Sequence, residues 1–300
     1  MKKHILIIIG GIFLVGACVL FITKERARLA YPSIGQVHVA FLDIGQGDAT
    51  YFRFANGEDM LVDCGKDTAV VEALGRRMGY FDRTITTLVV THPDRDHYGG
   101  CIDVLRRFRV LKVILNGDNK PGDAFLQEFN REVEKEKSVV TFRTSTGTEF
   151  IARVSLVWLY PDHDLSNGAI VPGNTKDTGS NNGSIVFRLD TPSGQRLLMT
   201  GDMEFALEEY LLKKDPLALQ ADILKIGHHG SGGSSGNAFI EIIKPTHSII
   251  SAGKDNSYGH PSKRVLERLK RNKSEIWRTD TQSDIMVVLG GSEISVLSRY

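Results

Sequence analysis

The stretch "VVTHPDRDHYGG" (Val89–Gly100) decides how the chain is read. Four metal-ligand side chains, His92, Asp94, Asp96 and His97, follow an apolar run within six residues. "TTLVVTH" predicts a buried strand and "GGCIDVLRRF" the helix after it, so the four donors lie on a strand-end loop that can turn them toward one point. Imidazole suits transition metals and carboxylate suits harder cations. A single histidine or aspartate here would be an ordinary polar turn. Four together point to a metal site.

Two other apolar strands end in residues of the same kind. Asp202 closes "RLLMTGD", and His228 and His229 close "ADILKIGHHG". Asp202 taken alone could cap the helix "MEFALEEYLLKK". The histidine pair taken alone could be a solvated loop. Strand ends along one edge of a sheet are a natural place to assemble a site from distant sequence.

Strand patterns dominate from Val37 onward. "VHVAFLDIG", "ATYFRF", "DMLVDCG", "VLKVILN", "SVVTFRT", "RVSLVWLY", "THSIISAG", "DIMVVLG" and "EISVLSRY" read as strands, and "IVFRLDT" with "QRLLMTGD" as a hairpin. "DAFLQEFNREVEKEK", "NAFIEIIK" and "SKRVLERLKRNK" read as helices. Pro161–Ser184 is a long polar segment with little periodicity, expected to be functional or mobile. Strands followed by helices occur in both halves. This predicts an α/β (α+β) chain folded as a four-layer αββα sandwich, two sheets face to face with helices outside.

Several pieces, in order, resemble the metallo-β-lactamase superfamily and, within it, the hydrolase domain of ComEC-type competence proteins. They are "FLDIGQGDAT", "LVDCG", "THPDRDHYGG", "LLMTGD", "ADILKIGHHGS" and "SYGHPS". The resemblance implies that His92 and Asp94 hold one metal ion. Asp96, His97 and His228 would hold a second, with Asp202 bridging. Asp96 and Asp202 are the expected catalytic carboxylates. Which of His228 and His229 ligates is not legible; His228, which follows the glycine, is preferred. Asp63 is expected to orient a ligand. The wider superfamily has a histidine where this chain reads "GSNNGSIVFRL", so Asn182 or Ser184 is expected to act there through water, and His163 is a further possibility. His229, Ser231 and His260 are expected near substrate, although "HHGSGGSSG" also reads as a flexible linker and "GHPS" as a helix-start turn.

The aspartates in this set favour harder ions such as manganese or magnesium, while affinity order favours zinc; one or two zinc or manganese ions are expected. The resemblance implies a phosphodiester substrate, single-stranded DNA among the choices. A hydrolase of a lactone, thioester or β-lactam, and a non-catalytic metal-binding module, are the alternatives.

The 300 residues carry a net charge of only +1, so bulk charge gives no support to a strongly basic nucleic-acid binder. The N-terminus differs from the rest. "MKKHILIIIGGIFLVGACVLFITKERAR" places an apolar run, Ile5–Thr23, between basic residues, and its 19 positions as helix would span roughly 28 Å. A retained membrane anchor over residues 1–30 is preferred to a cleaved signal or a lipoprotein signal ending at Cys18. Each predicts export of a catalytic domain over residues 31–300, a stand-alone version of its relatives. Cys64 and Cys101 read as buried hydrophobes or, in an oxidising compartment, as a disulfide near the metal rim.

Overall fold

A computed structural model describes residues 32–79, 81–175 and 178–298. The apolar N-terminal run lies outside them. Among the described residues no helix is long and apolar enough to cross a membrane.

Among the described residues six strands come first: β1 (Val37–Phe41), β2 (Thr50–Phe54), β3 (Asp59–Val62), β4 (Thr84–Val90), β5 (Arg109–Leu115) and β6 (Val139–Phe142). Seven follow: β7 (Gly147–Ile151), β8 (Val154–Tyr160), β9 (Val186–Asp190), β10 (Arg196–Met199), β11 (Ile223–Lys225), β12 (His247–Ile250) and β13 (Glu275–Arg278). Then β14 (Ile285–Leu289) and β15 (Ser295–Ser298) return to the first group. One sheet runs β15-β14-β1-β2-β3-β4-β5-β6, the other β13-β12-β11-β10-β9-β8-β7.

Among the described residues eight α-helices accompany them: α1 (Ala69–Gly75), α2 (Arg95–Tyr98), α3 (Cys101–Arg107), α4 (Ala124–Glu136), α5 (Phe205–Lys214), α6 (Asn237–Ile243), α7 (Lys263–Arg271) and α8 (Thr279–Gln282). Alternation along the strands sorts the apolar side chains into separate cores. Val39, Phe52, Met60, Val89, Trp158, Phe187 and Ile249 fill the space between the sheets. Leu61 and Leu88, on the outer face of the first sheet, pack with Leu74, Val104 and Phe129 of α1, α3 and α4. Leu198 and Leu224, on the outer face of the second, pack with Leu207, Ile240 and Leu269 of α5, α6 and α7. This is the four-layer αββα sandwich.

Two strands and three helices escaped the sequence reading: α1, the single turn α8, and the single turn α2, which lies within the stretch expected to be a strand-end loop. β7 ("GTEFI") lies in a polar stretch with its phenylalanine exposed, so it shows no apolar face. β13 ("EIWR") has no buried residue, Glu275 being exposed and the other three half-buried. Helix α1 follows Asp67, whose carboxylate accepts the Ala69 N–H rather than a deeper helix-cap donor. The long segment Pro161–Ser184 is anchored by buried Leu165, Ala169 and Val171.

β3, β4 and β5 are parallel, as are β10, β11, β12 and β13. Residues following β3, β4, β10, β11 and β12 converge in space, and those residues build the site.

Candidate metal centre

Asp63, just past β3, organises the first half of the site. Its backbone is left-handed, at φ 59°, a conformation aspartate tolerates better than most residues. Its Oδ1 accepts the Thr91 N–H at 2.8 Å, and its Oδ2 accepts the Thr91 hydroxyl at 2.8 Å. The same Oδ2 lies 2.8 Å from His97 Nδ1. Donation from Nδ1 leaves the Nε2 lone pair of His97 facing inward.

His92 and His229 are oriented by the same logic. His92 Nδ1 lies 3.0 Å from Thr91 Oγ1 and 3.3 Å from Ser184 Oγ. His229 Nδ1 lies 3.0 Å from the Ser251 carbonyl and 3.3 Å from Asp48 Oδ1. All three imidazoles are buried, and their Nε2 atoms have no hydrogen-bond partner; nor has Asp202 Oδ1. Buried polar atoms are rarely left so.

Distances draw these atoms together. Asp202 Oδ2 lies 3.2 Å from His97 Nε2 and 3.3 Å from His229 Nε2. Asp96 Oδ2 lies 3.4 Å from His229 Nε2. His92, His97 and Asp202 offer donors within 4.8 Å of one another, as do Asp96, His97 and His229. Three imidazoles, each with Nδ1 already bonded and Nε2 orphaned, together with the Asp96 and Asp202 carboxylates, fit divalent metal.

Asp94 sits at the mouth. Its Oδ1 is held by Lys120 Nζ and by Ser180 Oγ at 2.6 Å, and its Oδ2 lies 3.8 Å from His92 Nε2. Lys120 and Ser180 were not foreseen from sequence. The Asp94 carboxylate therefore arrives with its own cation.

His228 is a correction. Sequence reading preferred it as the ligand, but the structure turns His229 into the cluster. Both residues are left-handed, at φ 45° and 51°, so consecutive side chains diverge. Gly227 and Gly230 hold this turn; a Cβ on either would lie 2.7 Å from the Met203 carbonyl or 2.6 Å from Pro261 Cβ. His228 is only partly buried. Its Nδ1 lies 2.9 Å from Glu204 Oε1 and its Nε2 4.0 Å from Asp202 Oδ2.

Asn182 is another. It lies outside the cluster: its Oδ1 accepts the Glu204 and Leu207 N–H groups at 3.3 and 3.2 Å. It therefore caps α5 from a distant loop, the duty that Asp202 could have had. Ser184 does reach the site; besides facing His92, its Oγ accepts the Asp202 N–H at 3.0 Å. His163 is remote in its bonding, with both ring nitrogens placed on Asp162 and the Ile170 carbonyl.

Ser231 also turns away, its Oγ accepting the Gly233 N–H at 3.3 Å. Its loop is not a free linker. Ser234 Oγ donates to the Gly227 carbonyl at 2.7 Å, and the Glu208 carboxylate accepts the Ser235 and Gly236 N–H groups. His260 stays near the cluster, 5.4 Å from the His228 ring centroid, and Ser262 rather than "GHPS" as a whole caps α7.

Asp48 was missed. It closes "GQGD", is buried, and pairs with buried Lys225 Nζ at 2.6 Å as well as facing His229. The motif was visible; its role depends on a lysine hidden in an apolar strand far along the chain.

Charge is closely balanced. Burial and neighbouring His97 lower His92 to about 4, so its ring is neutral. Burial also opposes charge on His97 and His229, but Asp202 with Asp63, and Asp202 with Asp48, outweigh it and hold both rings well above the ordinary value. Asp202 is held well below its own, His229 and His97 overcoming burial. These protons are what a bound ion would displace.

Cys64 and Cys101 form a disulfide with Cα atoms 5.2 Å apart. It lies against the metal loop, for the Cys64 N–H donates to the His97 carbonyl at 2.7 Å. Gly100 lets the loop approach this closely, since a Cβ there would meet the Cys64 carbonyl at 2.2 Å.

The sequence pattern of the Metallo-beta-lactamase superfamily matches residues 42–254. The chain belongs to that superfamily. Among its relatives is ComE operon protein 3 of Bacillus subtilis (strain 168), 28% identical over 93% of this chain and 36% of that protein. Competence protein ComA of Neisseria gonorrhoeae is 28% identical over 84% of this chain and 32% of that protein. Recombination protein 2 of Haemophilus influenzae is 27% identical over 82% of this chain and 28% of that protein. The chain thus spans about a third of the length of the curated relatives it matches. The superfamily fold extends to CmlA, a diiron beta-hydroxylase from Streptomyces venezuelae, with a TM-score of 0.50 at 12% identity over 89% of this chain and 55% of that one. At that identity the likeness is one of fold alone.

Proposed function

We propose that this metallo-β-lactamase-fold chain is a metal-dependent hydrolase of phosphodiesters, acting on DNA or a related phosphodiester. The observation that carries the reading is the convergence of the orphaned His92, His97 and His229 Nε2 atoms with Asp202 Oδ1. Asp96, His97 and His229 would hold one ion, His92 and Asp94 a second, and Asp202 would face both. Zinc and manganese are the ions this mixed donor set suits. Divalent ions held there would supply Lewis acidity and a nucleophile at neutral pH.

The chain's own groups do the rest. Asp63, Asp48, Thr91, Ser184 and the Ser251 carbonyl fix the three imidazoles, so little reorganisation accompanies reaction. Lys120, beside Asp94 at the mouth, is placed to meet a phosphate oxygen. His228, fixed by Glu204 and facing the cluster through Nε2, can deliver a proton to a leaving oxygen.

The printed names of the relatives, competence and recombination proteins, support DNA as the phosphodiester. The disulfide supports an oxidising compartment, and with the apolar N-terminal run it supports an exported domain anchored to a membrane.

The test is a substrate panel with zinc- or manganese-loaded protein: bis(p-nitrophenyl) phosphate, a labelled single strand and nitrocefin. Hydrolysis of the first two is expected. Turnover of nitrocefin alone would favour an amide or ester substrate, and tight metal binding with no turnover a binding module.

A further inference from the structure

We propose that the cleft beside Asp96 is a nucleobase-stacking subsite, with the exposed ring of Tyr258 as its platform. This rests on the phosphodiesterase reading and specifies what the substrate brings next to the scissile phosphate: an unpaired base.

The cleft encloses about 760 Å³, and Gln46, Lys66, Arg95, Asp96, Lys254 and Tyr258 are among its walls. Asp96 belongs to the metal cluster, so the cleft opens directly onto it. Tyr258 is 69% exposed, and burial therefore does not account for an aromatic residue at that position. Its ring lies on His260, with centroids 5.8 Å apart and planes 25° from parallel. His260 lies in turn 6.5 Å and 29° from His229. Three rings step from solvent to the metal cluster, and the outermost has a free face. A base laid on that face continues the series.

The platform is ordered before anything binds. Asn256 Nδ2 donates to the Gly253 carbonyl at 2.9 Å and to the His260 carbonyl at 2.6 Å, while its Oδ1 accepts the His260 N–H at 3.0 Å. These bonds close the loop that carries Tyr258, and a preorganised loop loses little entropy on binding.

Charge cannot do this work alone. Lys66, Arg95 and Lys254 line the cleft, but so do Asp67, Asp96 and Asp255. Arg95 is also committed in part to Phe125, its Cζ 3.8 Å from the ring centroid. With cations and carboxylates matched, long-range attraction of a polyanion is weak, and the aromatic face must carry the discrimination. Bases inside a duplex already have both faces covered, so the platform selects unpaired nucleotides.

The test uses metal-loaded protein and a phosphorothioate-linked single strand carrying 2-aminopurine, whose fluorescence is quenched by stacking. Wild type and Tyr258→Phe should both bind with quenching. Tyr258→Ala should bind about tenfold more weakly, with the quenching lost. A hairpin with the probe base-paired should bind no better than the alanine variant. In turnover, Tyr258→Ala should raise KM for a single strand by more than it raises KM for an abasic strand of the same length. Equal binding by wild type and Tyr258→Ala, or no binding by either, overturns the subsite. Stacking that depends on Tyr258 without turnover of any phosphodiester overturns the phosphodiesterase reading and leaves the subsite standing. Turnover indifferent to Tyr258 overturns the subsite alone.

Discussion

His97 Nδ1 lies 2.8 Å from Asp63 Oδ2, so the carboxylate that ends one strand sets the direction of a donor carried by the loop after the next. Replacing Asp63 by Asn keeps the size but removes the charged acceptor. The expected outcome is a metal affinity lower by about 10–100-fold, measured by competition with a chromogenic chelator. Unchanged affinity would mean that His97 is held by other means.

His228 and His229 should separate cleanly. His229→Gln removes a buried inward-facing donor and should cost bound metal and activity together. His228→Gln should retain metal and lower kcat by about 10²–10⁴-fold if its ring supplies the proton to the leaving oxygen. Metal analysis and turnover on the two variants check this; the reverse pattern would restore His228 as the ligand.

The candidate metal loop was legible as a cluster because it is local: four potential donors crowd behind one apolar strand. Asp202 and the histidine pair were legible for the same reason, each ending its own strand. Which histidine turns inward was not, since it depends on two successive left-handed residues flanked by glycines that pack against Met203 and Pro261. Nor was Asn182, whose cap bonds reach Glu204 and Leu207 across a loop of irregular backbone. Asp48 and Lys225 find each other only when the two sheets close. The sandwich itself was legible from strand periodicity, and the strands that escaped, β7 and β13, lack a fully buried face.

The disulfide ties the segment after Asp63 to the helix that follows the metal loop. A closed loop of 37 residues predicts stabilisation by about 3–4 kcal/mol. The Cys64→Ser/Cys101→Ser double variant should melt at lower temperature and also bind metal more weakly, because the Cys64 backbone contacts His97. A lower melting temperature with unchanged metal affinity would confine the disulfide to a purely structural role.

Glu208 gives a pH signature. Burial raises its carboxyl to about 7 despite the Ser235 and Gly236 N–H groups that favour its charged form. A folded-state value above the unfolded one means that the unfolded chain ionises first as pH rises. Glu208 therefore favours the folded state most below pH ~4.5, and that advantage falls by up to about 3 kcal/mol as pH rises to 7, then levels. Glu208→Gln should lack this slope, so the stability gap between wild type and variant should shift toward the variant over that interval in chemical denaturation. A gap independent of pH would contradict the assignment.

The most direct test of the metal-dependent phosphodiesterase is the rate of bis(p-nitrophenyl) phosphate hydrolysis by protein loaded with zinc or manganese, set against chelated protein and Asp202→Ala. Hydrolysis by the loaded wild type, lost on chelation and lost in Asp202→Ala, is the predicted result. No hydrolysis with either ion, or hydrolysis that survives both chelation and the Asp202→Ala change, would contradict it.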